Sequence, residues 1–370
     1  MKPCAPEHIA SIIPYPPGKP LEELEREYGI SDSIKLASNE NPLGPSPKAV
    51  AAIRECLCGL HRYPDGSGYY LRKRLSGKFN LPFEGIVLGN GSNEIIELAI
   101  RTFIQPLDEV ILPAPSFLLY QLSVQTMGGK AIPVPLKEFA VDLDKMAEAV
   151  TPRTKIIFVN NPNNPTGTTV SQSDFDRFLD RIPPHVIIVL DEAYIEFARD
   201  PDTPRGFDYV GRKGPYLMVL RTFSKVYGLA GLRIGYGVMD PSLADYLNRV
   251  RQPFNTGSLA QAAALAALDD EEFLRRTQTA VWDGMDYLYG EIERLGLPYL
   301  PSQSNFFIIK VPCDAKKLFD AMLRQGVIIR AMNSYGMARH IRVNAGLEAE
   351  NKRFIRALGH ALENLRDSTD

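Results

Sequence analysis

Between Arg221 and Tyr236 the sequence RTFSKVYGLAGLRIGY brings together two hydroxyls, a lysine, a glycine-spaced turn and an arginine. The apolar run Leu217–Leu220 leads into it and reads as a buried strand. A lysine just after such a strand is badly placed for solvation, and burial favours its neutral amine. A neutral amine attacks a carbonyl to form a Schiff base. Thr222 and Ser224 supply hydroxyl donors and Arg233 a planar fork, all suited to a phosphate. An aldehyde for Lys225 and a phosphate for its neighbours together point to pyridoxal 5'-phosphate. A lone lysine beside a strand is more often a solvated loop residue, so the reading depends on whether other strands end in groups of matching chemistry.

In an open parallel sheet, ligands bind outside the carboxyl ends of the strands. Ile86–Leu88 is followed by Gly89-Asn90-Gly91-Ser92-Asn93-Glu94, which opens a helix. That is either an ordinary glycine turn or a helix N-terminus offering N–H groups to a phosphate. It lacks the third glycine of the dinucleotide fingerprint. Glu109–Leu112 ends near Phe117, an aromatic for the core or for stacking on a flat ring. Lys155–Val159 ends in Asn160-Asn161-Pro162-Asn163-Asn164-Pro165-Thr166-Gly167, where Asn164 is either part of a plain turn or a donor to a ring oxygen. Val186–Leu190 ends in Asp191-Glu192-Ala193-Tyr194. A carboxylate there needs a partner, either an arginine or a protonated pyridine nitrogen. At 4 Å and an effective dielectric of 20, the latter pair attracts by roughly 4 kcal/mol before desolvation. Arg330 and Arg342 each end an apolar pair, as surface ion-pair partners or as a clamp for an anionic substrate.

The elements that must position these residues alternate. Seven candidate strands, Ile86–Leu88, Glu109–Leu112, Lys130–Val134, Lys155–Val159, Val186–Leu190, Leu217–Leu220 and Ile234–Val238, are separated by helical stretches. This predicts an α/β fold: a mainly parallel seven-stranded sheet with helices on both faces. Past Gln252 the pattern changes to a smaller α+β layer with strands Asn305–Val311, Val327–Arg330 and His340–Asn344. Residues 1–20 are proline-rich and read as an extended arm with no helix. The expected division is 1–45 for the arm and part of the small domain, 46–255 for the large domain and 256–370 for the small one. The helix between the second and third strands is expected over Phe117–Met127.

Composition narrows the class. The 370 residues are 45% hydrophobic and 23% charged, enough for a large core. A net charge of -2 gives no basic field for nucleic acid or an anionic membrane. No apolar run approaches the roughly 20 residues of a membrane span, and Met1–Pro6 lacks the apolar stretch of a secretory signal. Four scattered cysteines make no disulfide scaffold, and Cys56-x-Cys58 lacks the second pair of a metal site, so no metal is expected. A cytoplasmic location follows as an expectation.

Thr222-x-Ser224-Lys225 with Arg233, Asn164-Pro165-Thr166-Gly167 and Asp191-x-x-Tyr194 resemble the fold-type I pyridoxal-phosphate aminotransferases over essentially the whole chain. Tyr15-Pro16-Pro17-Gly18-Lys19, Asn39-Glu40-Asn41-Pro42, Arg62-Tyr63-Pro64-Asp65 and Gly326–Arg330 are similar to the branch that acts on histidinol phosphate. The resemblance implies that Lys225 bonds the cofactor and shuttles the proton. It implies that Asp191 pairs with the pyridine nitrogen, and that Tyr194 and Asn164 hold the ring oxygen. Ser92, Asn93, Thr222, Ser224 and Arg233 would cradle the phosphate, with Phe117 stacked on the ring where many relatives carry Tyr or Trp. Tyr63 would reach the neighbouring subunit's site, implying a homodimer. Tyr15, Asn39, Arg330 and Arg342 would meet the substrate, with histidinol phosphate and 2-oxoglutarate as the substrate pair. Rivals on the same scaffold are a broad aromatic aminotransferase, a threonine-phosphate decarboxylase and a cofactor-sensing regulator. The His-Gly-Gly of the second and the basic helix-turn-helix of the third are missing from this sequence.

Overall fold

The structure, a computed structural model, describes residues 4–14 and 18–367. A short strand, β1 (Ile34–Lys35), precedes the main sheet. The sheet itself comprises β2 (Ile86–Gly89), β3 (Glu109–Ala114), β4 (Lys130–Pro135), β5 (Thr154–Asn160), β6 (Ile187–Asp191), β7 (Tyr216–Thr222) and β8 (Gly235–Met239). All seven expected strands are present, in the order β2-β8-β7-β6-β5-β3-β4. Only β8 runs antiparallel to its neighbours. The central strands are buried on both faces, so they read as apolar runs without alternation. The period of two survives in where the side chains go. Ile156 and Phe158 pack on one face with Val87, Val110, Val189 and Leu220, while Ile157 and Val159 pack on the other with Ile111, Ile188 and Val219.

The C-terminal layer contains β9 (Tyr299–Leu300), β10 (Phe306–Lys310), β11 (Val327–Ile328), β12 (Arg330–Ala331) and β13 (His340–Asn344). Four of these form an antiparallel sheet in the order β12-β13-β10-β9. The fifth, β11, pairs in parallel with β1, so residues near the start of the chain complete the layer built by its end. The core under this layer is continuous with the β2/β8 side of the main sheet, where Phe306, Ile341 and Val343 join Leu88, Tyr236 and Val238.

Three expectations are corrected. Val327–Arg330 is not one strand: it breaks at Ile329, its first half pairing with β1 and its second with β13. The segment 1–20 is not wholly extended. Glu7–Ala10 forms one helical turn after Pro6, and Gln125 Nε2 donates to His8 O at 3.1 Å, tying the turn to the helix Leu119–Thr126. That helix starts two residues later than expected, at Leu119.

Candidate functional site

Strand register places the site. Asn160 of β5 pairs with Asp191 of β6, and Asp191 with Leu220 of β7, so three carboxyl ends stop at one level. Thr222 of β7 and Gly89 of β2 both pair with Gly235 of β8, which brings the turn holding Lys225 against the start of the helix Gly91–Phe103. Around these ends lies a cavity of about 260 Å3 lined by Ser92, Asn93, Phe117, Asn164, Asp191, Tyr194, Thr222, Ser224, Lys225 and Arg233. Ten of the residues singled out from sequence therefore share one space.

One corner of the cavity is built for an anion. The helix Gly91–Phe103 begins at Asn90 with no side-chain cap, leaving its first N–H groups and the positive end of its dipole toward the cavity. Gly91 has φ +72°, and a Cβ there would stand 2.8 Å from Arg233 Nη2. The absence of a side chain is what lets the guanidinium lie over the helix start. Arg233 itself is left-handed, at φ +54°. Ser92, Thr222 and Ser224 are buried beside it, and Thr222 Oγ1 donates to Ser224 Oγ at 2.9 Å.

The same cavity holds two groups whose protonation is shifted. Burial, reinforced by the charge of Arg342, pushes the Lys225 ammonium down to about 8. Its Nζ donates to Ser38 O at 3.3 Å and stands 5.4 Å from the Tyr194 ring centre. Burial pushes the Asp191 carboxyl up to about 6. The Tyr120 hydroxyl donates to its Oδ2 at 2.7 Å and the Ala193 N–H to its Oδ1 at 3.2 Å. The alternative of a structural Asp–Arg pair belongs to the next residue instead. Glu192 accepts from Arg221 Nε at 2.9 Å and from the Gly206 N–H at 2.6 Å, on the far side of the strand end.

Behind the cavity stand Asn39 and Arg342. Asn39 Nδ2 donates to Tyr194 Oη at 3.0 Å, so the Tyr194 hydroxyl keeps its own proton to give, and burial holds that phenol protonated. Arg342 Nη1 donates to Asn164 Oδ1 and its Nη2 to Ala37 O, leaving the Nδ2 donors of Asn164 for the cavity. Arg342 Nε is buried without a hydrogen-bond partner among the described residues.

Besides Asn39 and Arg342 behind it, two expected residues, Arg330 and Tyr63, do not line this cavity, and a third, Tyr15, lies outside the described residues. Arg330 lines a neighbouring groove with Lys19 and Phe319, although its backbone pairs with that of Arg342. Tyr63 is 83% exposed and stacks on Phe254 with ring centres 4.9 Å apart. Sequence reasoning missed Tyr120, Ser38 and Glu40. The available signal for Tyr120 was its spacing from Phe117, three positions along the helix expected from Phe117.

The donor set fits pyridoxal phosphate: an anion cup, an amine held toward neutrality, and a buried carboxylate whose two bonded donors are both uncharged. Comparison with known proteins adds the lineage. The family described as aminotransferase class I and II matches residues 31–358. This chain belongs to that family. Among its aminotransferase relatives, histidinol-phosphate aminotransferase of Moorella thermoacetica is 48% identical over 96% of this chain and 92% of that protein. The protein of the same name from Desulfotalea psychrophila is 50% identical over 97% and 96%. The crystal structure of histidinol-phosphate aminotransferase from Sinorhizobium meliloti in complex with pyridoxal-5'-phosphate superposes with a TM-score of 0.90 at 26% identity, covering 99% of both chains. As an aminotransferase the chain has the expected α/β architecture. Among the described residues no helix is long and apolar enough to cross a membrane.

Proposed function

We propose that this chain is a pyridoxal-phosphate-dependent transaminase that moves the amino group of L-histidinol phosphate to 2-oxoglutarate, giving imidazole-acetol phosphate and L-glutamate. The observation that carries the reaction type is the sharing of one cavity by the Lys225 amine, the Asp191 carboxylate and an anion cup. The substrate rests on the identity of 48% and 50% to relatives that bear its name, over nearly their full lengths.

When bound, the cofactor supplies an electron sink for the electrons left behind as the substrate loses its Cα proton. The chain's own residues divide the remaining work. Lys225 Nζ is the covalent anchor and moves the Cα proton, for which an amine titrating near 8 is well matched. Asp191 holds a proton on the ring nitrogen. Tyr194 Oη and Asn164 Nδ2 donate to the ring oxygen, and Phe117 stacks on the ring. Ser92, Asn93, Thr222, Ser224, Arg233 and the first turn of the helix Gly91–Phe103 bind the phosphate. Arg342 meets the anionic end of either substrate, phosphate in one half-reaction and carboxylate in the other, with Asn39 steadying Tyr194. Arg330 and Tyr15 complete the phosphate side.

In this reading residues 46–255 hold the cofactor, while 1–45 and 256–370 form the layer that closes on the substrate. The enzyme works as a cytoplasmic homodimer, with Tyr63 reaching into the neighbouring subunit's pocket. The test is a screen of amino donors against 2-oxoglutarate with glutamate as the readout. Preference for histidinol phosphate supports the reading. Preference for phenylalanine or tyrosine replaces it with a broad aromatic aminotransferase, and release of CO2 from threonine phosphate replaces it with a decarboxylase.

A further inference from the structure

We propose that Tyr120 is a positioning residue that acts through Asp191, aiming its carboxylate into the cavity. The inference rests on the reading that Asp191 meets the cofactor's ring nitrogen. Tyr120 is fully buried in the helix Leu119–Thr126. Its ring stacks on Phe158 of β5 with centres 4.3 Å apart and planes at 10°, and meets Phe117 edge-on at 5.6 Å. These contacts fix the ring, and the ring fixes the hydroxyl 2.7 Å from Asp191 Oδ2. The terminal torsion of an aspartate is soft and roughly two-fold. One donor on each oxygen, Tyr120 on Oδ2 and the Ala193 N–H on Oδ1, sets the plane that torsion leaves loose.

The bond also favours the charged carboxylate. Burial raises the Asp191 pKa, and donation from Tyr120 opposes that rise. Burial and the neighbouring Asp191 charge push the Tyr120 phenol well above its ordinary value, so it stays a donor throughout the working range. Phe117 lines the cavity two residues before this helix begins, so one short segment sets both the face of the cofactor ring and the orientation of the carboxylate at its edge.

The test is a double-mutant cycle on pyridoxal-phosphate binding to apoprotein, read by equilibrium dialysis and accompanied by kcat and KM of the reconstituted enzyme. Tyr120→Phe keeps both ring contacts and removes only the hydroxyl. A hydrogen bond to a charged group is worth enough that its loss should weaken cofactor binding about tenfold. kcat should fall while KM stays within about twofold. In the Asp191→Asn background the same change should alter binding less than about twofold, because the group Tyr120 serves is gone. Equal weakening in both backgrounds, or wild-type binding by Tyr120→Phe where Asp191→Asn binds poorly, overturns the Tyr120 assignment alone. Wild-type binding by Asp191→Asn overturns the Asp191 reading and the Tyr120 assignment with it.

Discussion

Lys225 and Asp191 are displaced in opposite senses by the same burial, and each makes a checkable difference. The folded-state pKa of Lys225, about 8, lies below its ordinary 10.5. Between those values the unfolded chain binds more protons, so the burial penalty is present in full below about 8 and vanishes above about 10.5. Replacing Lys225 with Met should therefore raise the melting temperature of the apoprotein at pH 7 by one to a few degrees, with the gain gone by pH 10.5. Thermal melts at the two pH values measure this, and a loss of stability at pH 7 contradicts it. Borohydride reduction of the holoprotein followed by peptide mapping should label Lys225; a label elsewhere removes it as the anchor. Asp191→Asn should cut turnover by about a hundredfold or more at unchanged far-ultraviolet circular dichroism, since an amide cannot hold the ring proton. Activity within a few fold of wild type would make Asp191 structural. These residues were legible because a parallel sheet puts its chemistry at strand ends, where a lysine or an aspartate contradicts the apolar run before it. Tyr120 was not, because a tyrosine in an apolar helix looks like core, and its acceptor is 71 positions away.

Among the elements, the helix Gly91–Phe103 makes the sharpest demand on sequence. Gly91 is left-handed and lies where a side chain would meet Arg233. Alanine in that conformation costs roughly 1–2 kcal/mol before any clash. Gly91→Ala should thus weaken pyridoxal-phosphate binding by about tenfold or more while helix content stays constant, measured by titrating apoprotein; unaltered affinity would separate this helix start from the phosphate. Capping and periodicity recovered most elements. Ser46 caps the helix Pro47–Cys56 through the Ala49 N–H, and the helices Leu21–Tyr28 and Gln172–Arg181 fall where their apolar spacing puts them. Failures came where pairing decides. Tyr299–Leu300 is a two-residue edge strand recognised only beside β10. The break at Ile329 exists because two partners compete for one apolar run. Glu7–Ala10 had room for one turn between Pro6 and Pro14, and the proline count hid it.

For the molecule as a whole, the exposed Tyr63 makes the proposed second subunit testable. Leu57, Leu60 and Tyr70 are exposed near it in sequence. Mixing inactive Tyr63→Ala and Lys225→Ala subunits should restore part of the activity, because one site in each hybrid is whole. A fully active monomer in sedimentation would refute the shared site. Arg330→Ala should raise KM for histidinol phosphate about tenfold, from the loss of a charge-assisted bond, and affect phenylalanine less. An equal effect on both removes Arg330 from phosphate recognition. The pairing of β1 with β11 sets an order in time. The wall of the cavity beside Lys225 runs through Ser38 and Glu40, and the N–H of Asn39 between them is held by Asn344, 305 positions further on. A ribosome adding roughly 5–20 residues per second needs about 15–60 s to cover that distance. For the last part of that interval, the roughly 5–20 s between Met239 at the end of β8 and Asn344, a nascent chain that has made β2 to β8 carries the anion cup, Asp191 and Lys225 on a site open along one side, and Ser38 to Glu40, made before the sheet, are among the last to find their place.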